Sequence, residues 1–108
     1  MKYGFLQKRS AWLRRWDKRW VMMTEGSVFY FESFNQATRA NGEIELDGCK
    51  VADADSETGK KNTFGIYHPT RRDVFFQASS SEERIEWISA LQSMLTVQTN
   101  PAGKLEFK

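Results

Sequence analysis

Residues Lys2 to Arg9 read as a strand whose side chains point alternately outward and inward. Ser10 to Asp17 reads as a loop, and Lys18 to Thr24 as a second strand. Glu25-Gly26 is a tight-turn signal leading into Ser27 to Glu32, a third strand rich in aromatics. Ser33 to Asn41 is polar and loop-like, whereas Gly42 to Leu46 alternates acid with aliphatic, as a half-exposed strand does. Asp47-Gly48 turns the chain into a short fifth strand, Cys49 to Ala52. A charged loop, Asp53 to Lys61, follows. Thr63 to Tyr67 and Asp73 to Ala78 are the last two strands, joined by a turn around Pro69.

The period then changes from strand to helix. Ser80 stands three residues before Glu83, the spacing at which a capping hydroxyl and a returning carboxylate satisfy each other's backbone donors. Glu82 and Glu83 lie where the helix dipole favours negative charge. Trp87, Ile88, Leu91, Met94 and Leu95 share one face at helical spacing. The helix is expected to stop near Thr96, ahead of Asn100-Pro101 and Gly103. The pattern therefore predicts a mostly β chain with one C-terminal α-helix: seven strands that must curl to hide their apolar face, with the helix plugging an open end. Residues 1–97 form the domain in this reading, and residues 98–108 a flexible tail or linker.

Composition narrows the function classes. The chain's 108 residues suffice for one domain with a modest core. Its single cysteine, Cys49, forms no internal disulfide, and no Cys/His cluster offers a zinc site. That fits a reducing cytosol. Apolar stretches such as Trp20 to Met23 are far too short to span a bilayer. Nor does the N-terminus carry the apolar region of a signal peptide. The net charge of +2 hides an asymmetry: residues 1–20 hold seven basic side chains against Asp17 alone, while residues 43–57 hold six acids against Lys50. One face is thus suited to an anionic partner.

Catalysis finds no support in the sequence. His68 is the only histidine and precedes Pro69 in a turn, no nucleophile has an evident base, and the glycines are scattered at turns rather than gathered in a phosphate loop. No cofactor or metal is implied. The aromatic run Phe29-Tyr30-Phe31 invites comparison with RNA-binding sheets, but those follow a βαββαβ order that this chain lacks, so nucleic acid is set aside.

Several segments together resemble the pleckstrin-homology (PH) family over residues 3–96. Gly4-Phe5-Leu6-Gln7-Lys8 looks like its first strand, and Lys18-Arg19-Trp20-Val21-Met22 like its second. Phe29-Tyr30-Phe31 resembles the third strand, and Gly42-Glu43-Ile44-Glu45-Leu46 the fourth. Glu82-Glu83-Arg84-Ile85-Glu86-Trp87-Ile88 is similar to the closing helix, with Trp87 at the family's tryptophan position. The resemblance implies a seven-stranded, partly open barrel of two near-orthogonal antiparallel sheets capped by the helix.

It also implies a lipid site. Phosphoinositide-binding members carry a basic residue in the first strand and a basic-any-basic triplet entering the second. Lys8 matches the former and Arg19 the end of the latter, while Asp17 departs from the pattern. An acid there repels phosphate unless it is turned away or paired, for example with Arg15. Lys18 joins the candidate headgroup set, Arg14 and Arg15 extend its rim, and Arg71 and Arg72 form a further wall beside His68. Lys60 and Lys61 mark a candidate second site on the other side of the first hairpin. Asp17 tilts the expectation from trisphosphorylated lipids towards monophosphorylated phosphoinositides, phosphatidylserine or phosphatidic acid.

Trp12-Leu13 places two large apolar residues in mid-loop, directly before Arg14-Arg15. At a bilayer surface Trp favours headgroup depth and Leu enters the acyl region. The alternative is that Trp12 folds back on the barrel or packs against Trp16. Five or six converging cations supply roughly 5 kcal/mol at about 1 kcal/mol each. Part-burial of the Trp-Leu pair adds on the order of 2 kcal/mol. Such a sum corresponds to reversible, micromolar docking. The sequence thus reads as a cytoplasmic, peripheral membrane-targeting module for anionic phospholipids, foremost phosphoinositides, within a longer chain. A protein-docking module with little lipid binding is the alternative.

Overall fold

The computed structural model describes residues 2–33 and 40–99, with side chains to Leu95. Strand β1 (Lys2–Arg9) pairs antiparallel with β2 (Trp16–Met23) at every position from Lys2↔Met23 to Arg9↔Trp16. Because the ladder continues to the end of β1, β2 begins two residues before the expected Lys18. Next come β3 (Ser27–Phe31) and β4 (Gly42–Glu45), then β5 (Lys50–Asp53). The expected loop at Ser33–Asn41 falls largely outside the described residues. Gly48 turns the chain between β4 and β5 with φ +80°, a conformation glycine adopts without steric cost, and the Cys49 N–H donates to the Leu46 carbonyl at 2.9 Å. The charged segment after β5 is not all loop. It contains the one-turn helix α1 (Asp55–Thr58), ended by Gly59 in the left-handed region. Strands β6 (Thr63–His68) and β7 (Arg71–Gln77) complete the sheet, and α2 (Ser81–Thr99) closes the fold.

All pairings are antiparallel, in the order β4-β3-β2-β1-β7-β6-β5. Only Gln7↔Gln77 and Lys8↔Phe76 join β1 to β7, so two halves meet at a short seam in one continuous sheet. With β4 and β5 at its two edges, the sheet is not closed. Helix α2 lies against β5, where the Gln92 side-chain amide donates to the Val51 carbonyl at 3.1 Å.

Inward residues of both halves meet the helix in one core. Leu6, Val21, Val28, Leu46, Phe64, Ile66 and Phe76 pack with Trp87, Leu91 and Leu95, all buried. Met23 joins this core, but Met22 alternates to the outer face opposite Tyr3, so it is not the core filler its hydrophobicity suggests. At the start of α2 the Glu83 N–H donates to the Ser80 hydroxyl, as the spacing predicts. The returning Glu83 carboxylate reaches one residue further than expected, accepting from the N–H and hydroxyl of Ser79 at 2.7 and 2.8 Å. The helix runs three residues past the expected stop, to Thr99. Residues Gln98 and Thr99 are therefore helical rather than tail, and the remainder of the expected tail lies outside the described residues.

A carboxylate latch explains why α1 forms. Asp55 accepts from the backbone N–H of Thr63 at 2.8 Å, from the Thr63 hydroxyl and from the Asn62 N–H, and Arg84 of α2 reaches it at 3.0 Å. The Thr63 backbone hydrogen bond, chiefly, holds the Asp55 carboxyl below its ordinary value of 3.8. A lowered native pKa contributes stability that is present above that value and lost as pH falls through the lower, native one. With its side chain 41% exposed, the Arg84 pairing is partly screened, so the hydrogen bonds dominate. Asp55→Ala is expected to cost about 1–2 kcal/mol at neutral pH. In urea titrations at pH 7 and pH 2.5, the gap between wild type and variant should shrink at the lower pH. An equal gap at both would contradict the latch.

Candidate functional site

Strand alternation sorts the cations of the first hairpin onto two faces. Leu6, Lys8, Arg19 and Val21 point inward, whereas Phe5, Arg9, Lys18 and Trp20 point outward, because partners such as Leu6↔Arg19 and Gln7↔Lys18 share a face. Lys8 and Arg19 therefore meet at the mouth of the barrel, and Lys18, one residue from Arg19, does not join them. The Lys8 ammonium lies 4.6 Å from the centre of the Tyr30 ring. Tyr30 is in turn seated over Gly42, where any Cβ would collide with its hydroxyl and ring.

The mouth is electrostatically uncomfortable without a counter-ion. Burial pulls the Lys8 pKa below its usual 10.5, the neighbouring Arg19 charge lowers it further, and Asp17 offsets only part of this. Asp17 stands directly opposite Lys8 in the ladder, but its two carboxylate oxygens accept from the Arg15 Nε at 3.2 and 3.1 Å. The departure from the family pattern is thus partly neutralised by a neighbour. Two cations side by side, with the nearest acid engaged elsewhere, favour an incoming anion. The Arg fork and the Lys point charge can share its oxygens.

The loop after β1 is tied together at its base by Ser10. The Ser10 hydroxyl accepts from the N–H groups of Leu13 and Arg15, both at 3.2 Å, and the Ser10 N–H donates to the Arg15 carbonyl at 2.7 Å. Arg14 completes the bend at φ +53°, in the left-handed region. Trp12 and Leu13 consequently stand clear of the barrel, 81% and 69% exposed. Trp12 nonetheless touches the wall through the Arg72 side chain of β7. Its ring is faced by the Arg72 guanidinium at 4.2 Å, while Trp16 carries the Lys60 ammonium at 5.1 Å.

The remaining candidates divide. Arg71 and Arg72 lie on β7 itself, after a hairpin turn of only Pro69-Thr70. The Arg71 guanidinium donates to the carbonyls of Glu45 and Asp47 at 3.0 and 3.2 Å and so braces the turn before β5. Only Arg72 of the two lies beside the loop tip. On the outer face, the Lys18 ammonium sits 4.4 Å from the Phe5 ring, which packs against Trp20, and Trp20 against Tyr3. A shallow cleft of about 430 Å³ opens there between Lys18, Gln7, Asn62 and Gln77. Lys60 and Lys61 belong to this side, and the Lys61 carbonyl accepts from the Gln77 side chain at 3.0 Å. Arg9, stacked 4.4 Å over Phe75, was not signalled as a site residue by any motif; its outward position follows from alternation alone.

Other reactive groups are engaged structurally. The buried Cys49 thiol, pushed up chiefly by burial, donates to the Glu45 carbonyl, and His68 Nδ1 accepts from the Thr70 N–H. Among the described residues, no group of His, Cys, Asp or Glu could hold a metal ion, and no helix is long and apolar enough to cross a membrane.

A family profile described as PH domain matches residues 1–96. The chain belongs to the PH domain family. As a PH domain it is a non-catalytic module. It is 34% identical over 106 residues to mouse pleckstrin homology domain-containing family A member 6, covering 95% of the chain and 9% of that protein. It is 36% identical over 96 residues to mouse interactor protein for cytohesin exchange factors 1, covering 89% of the chain and 23% of that protein. The domain thus spans under a quarter of the length of either relative. Among solved structures, the C-terminal PH domain of pleckstrin in complex with D-myo-Ins(1,2,3,5,6)P5 superposes with a TM-score of 0.77. That match is 31% identical and covers 88% of this chain and 94% of the other.

Proposed function

We propose that this PH domain docks reversibly on membranes containing anionic phospholipids, phosphoinositides foremost among them. Lys8 and Arg19 take a headgroup phosphate at the barrel mouth. Arg14, Arg15 and Arg72 meet neighbouring phosphates, and Trp12-Leu13 enters the interface. The carrying observation is the solvent-facing Trp12-Leu13 tip, 81% and 69% exposed, standing directly beside cations. Two such side chains held in water by a braced loop make physical sense when an apolar phase covers them. Asp17, although paired with Arg15, keeps net charge at the mouth low and so favours headgroups of few phosphates. Lys18 with Lys60 and Lys61 supplies a secondary basic surface on the outer face.

Removing the wedge tests this reading. Trp12→Ala with Leu13→Ala is expected to weaken vesicle binding about 30-fold, the equivalent of about 2 kcal/mol. The thermal midpoint should stay unchanged, since neither side chain is in the core. Unaltered vesicle binding by this variant would contradict insertion.

A protein-docking role is the second reading. It rests on the outer ladder of Tyr3, Phe5 and Trp20, in which Tyr3 and Phe5 are 60% and 42% exposed. That reading expects no dependence on vesicle charge and a specific protein retained in pull-downs.

A further inference from the structure

On the outer face of the first hairpin, Tyr3 lies 5.5 Å from Trp20 at a tilt of 39°, and Phe5 lies 4.9 Å from it, edge-on at 70°. Tyr3 and Phe5 are exposed and Trp20 is half-buried, while the core occupies the opposite face of these strands. Large rings gathered in water on one face mark a contact surface. The membrane is not its natural partner. Tyr3 stands at the far end of β1 from the loop tip, about 20 Å from Arg9 at the ordinary rise of a strand. Insertion of Trp12-Leu13 therefore leaves Tyr3 in water.

The geometry also selects the conformation of a peptide partner. Trp20, the middle ring, is paired through its strand on both sides, to Phe5 and to Phe31. A peptide crossing it finds rings and side-chain donors but no free strand edge to extend. The polyproline II conformer needs no such edge: it makes no hydrogen bonds of its own, and it docks by seating prolines on aromatic rings. Its carbonyls ask only for a few donors. The Tyr3 hydroxyl offers one at one end of the ladder. At the other end the amides of Gln7 and Asn62 line the groove of about 430 Å³ beside Phe5 and Lys18. Lys18 is exposed, its ammonium 4.4 Å from the Phe5 ring, and among the described residues no carboxylate forms an ion pair with it. An acid beside the prolines would complete the contact.

We propose that the Tyr3-Trp20-Phe5 ladder binds a proline-rich segment of a partner protein in the polyproline II conformation, with an acidic residue beside the prolines paired to Lys18. The assignment rests on the protein-docking reading of this face and names the chemistry of its partner. Because the ladder and the loop tip occupy different parts of the surface, peptide binding is compatible with lipid docking.

Fluorescence anisotropy tests this with a labelled oligoproline peptide ended by glutamates, set against a peptide of equal charge in which glycines replace the prolines. Wild-type domain is expected to bind the proline peptide at least about tenfold more tightly, a difference of about 1.4 kcal/mol. Tyr3→Ala, at an exposed position, should weaken that binding at least about fivefold, with thermal midpoint and vesicle affinity unchanged. Lys18→Glu should turn the preference towards an oligoproline ended by lysines. Absence of peptide binding, equal binding of the glycine peptide, or binding that survives Tyr3→Ala overturns the proline assignment and leaves the ladder to another protein. A preference for glutamates that survives Lys18→Glu overturns the acidic pairing. Loss of a concentration-dependent dimer in Tyr3→Ala, without peptide binding, overturns the assignment in favour of a second copy of this chain. A fall in vesicle affinity in Tyr3→Ala assigns the ladder to the membrane and overturns the protein-docking reading as well.

Discussion

Replacing Trp87 with alanine is expected to cost about 4 kcal/mol of folding stability, the largest effect of any single truncation in this domain. Its side chain is 1% exposed and lies over Gly4, where a Cβ would stand 3.9 Å from the ring, while the Lys2 ammonium covers it at 5.0 Å. One ring therefore ties the closing helix to β1. A cavity of that size in so small a core cannot collapse without moving the helix. Against a total stability of about 5–15 kcal/mol, the variant should melt on the order of 20 °C lower. Ile85→Ala, two residues earlier on the same helix but 57% exposed, is expected to change stability by less than about 0.5 kcal/mol. Urea unfolding of both variants measures the contrast. A loss below about 1.5 kcal/mol for Trp87→Ala would mean that α2 does not close the barrel.

Charge reversal at the mouth should have the largest effect on binding. Lys8→Glu combined with Arg19→Glu replaces two attractive charges by two repulsive ones, at about 2 kcal/mol each near an anionic leaflet. Vesicle affinity is expected to fall on the order of a hundredfold or more. The discriminating comparison uses single reversals. Arg19→Glu and Lys18→Glu alter net charge identically and occupy adjacent positions, yet Arg19 faces the mouth with Lys8 and Lys18 the outer face over Phe5. Specific phosphate binding predicts that Arg19→Glu weakens binding severalfold more than Lys18→Glu. Equal losses would reduce the interaction to general electrostatic adhesion.

The strand order and closing helix were legible in the sequence because local chemistry enforces them. Asp47-Gly48 marks a turn that needs a positive φ, Ser80 caps the helix, and the Trp87–Leu95 stripe has one periodic face. Separation of Lys18 from Arg19 was also written in the alternation, since Lys8 lies two residues after the buried Leu6 and Arg19 two before the buried Val21. Helix α1 was not legible. Four residues have no helical tendency of their own, and its turn persists because Asp55 bonds to Asn62 and Thr63, seven and eight residues away. Nor could the bracing role of Arg71 be read, because it joins residues 24 and 26 positions apart. The stacking of Arg9 over Phe75 likewise depends on the β1–β7 seam. Long-range pairing created both features, and no local motif announces it.

The most direct test of lipid docking is co-sedimentation of the purified domain with vesicles in which one anionic lipid is varied at a time, at physiological salt. The account predicts micromolar binding that requires an anionic lipid, weakens as salt rises, and is lost in the Lys8→Glu, Arg19→Glu variant. No binding to any anionic vesicle would contradict it and leave the outer Tyr3-Trp20-Phe5 ladder, with a protein partner, as the better reading.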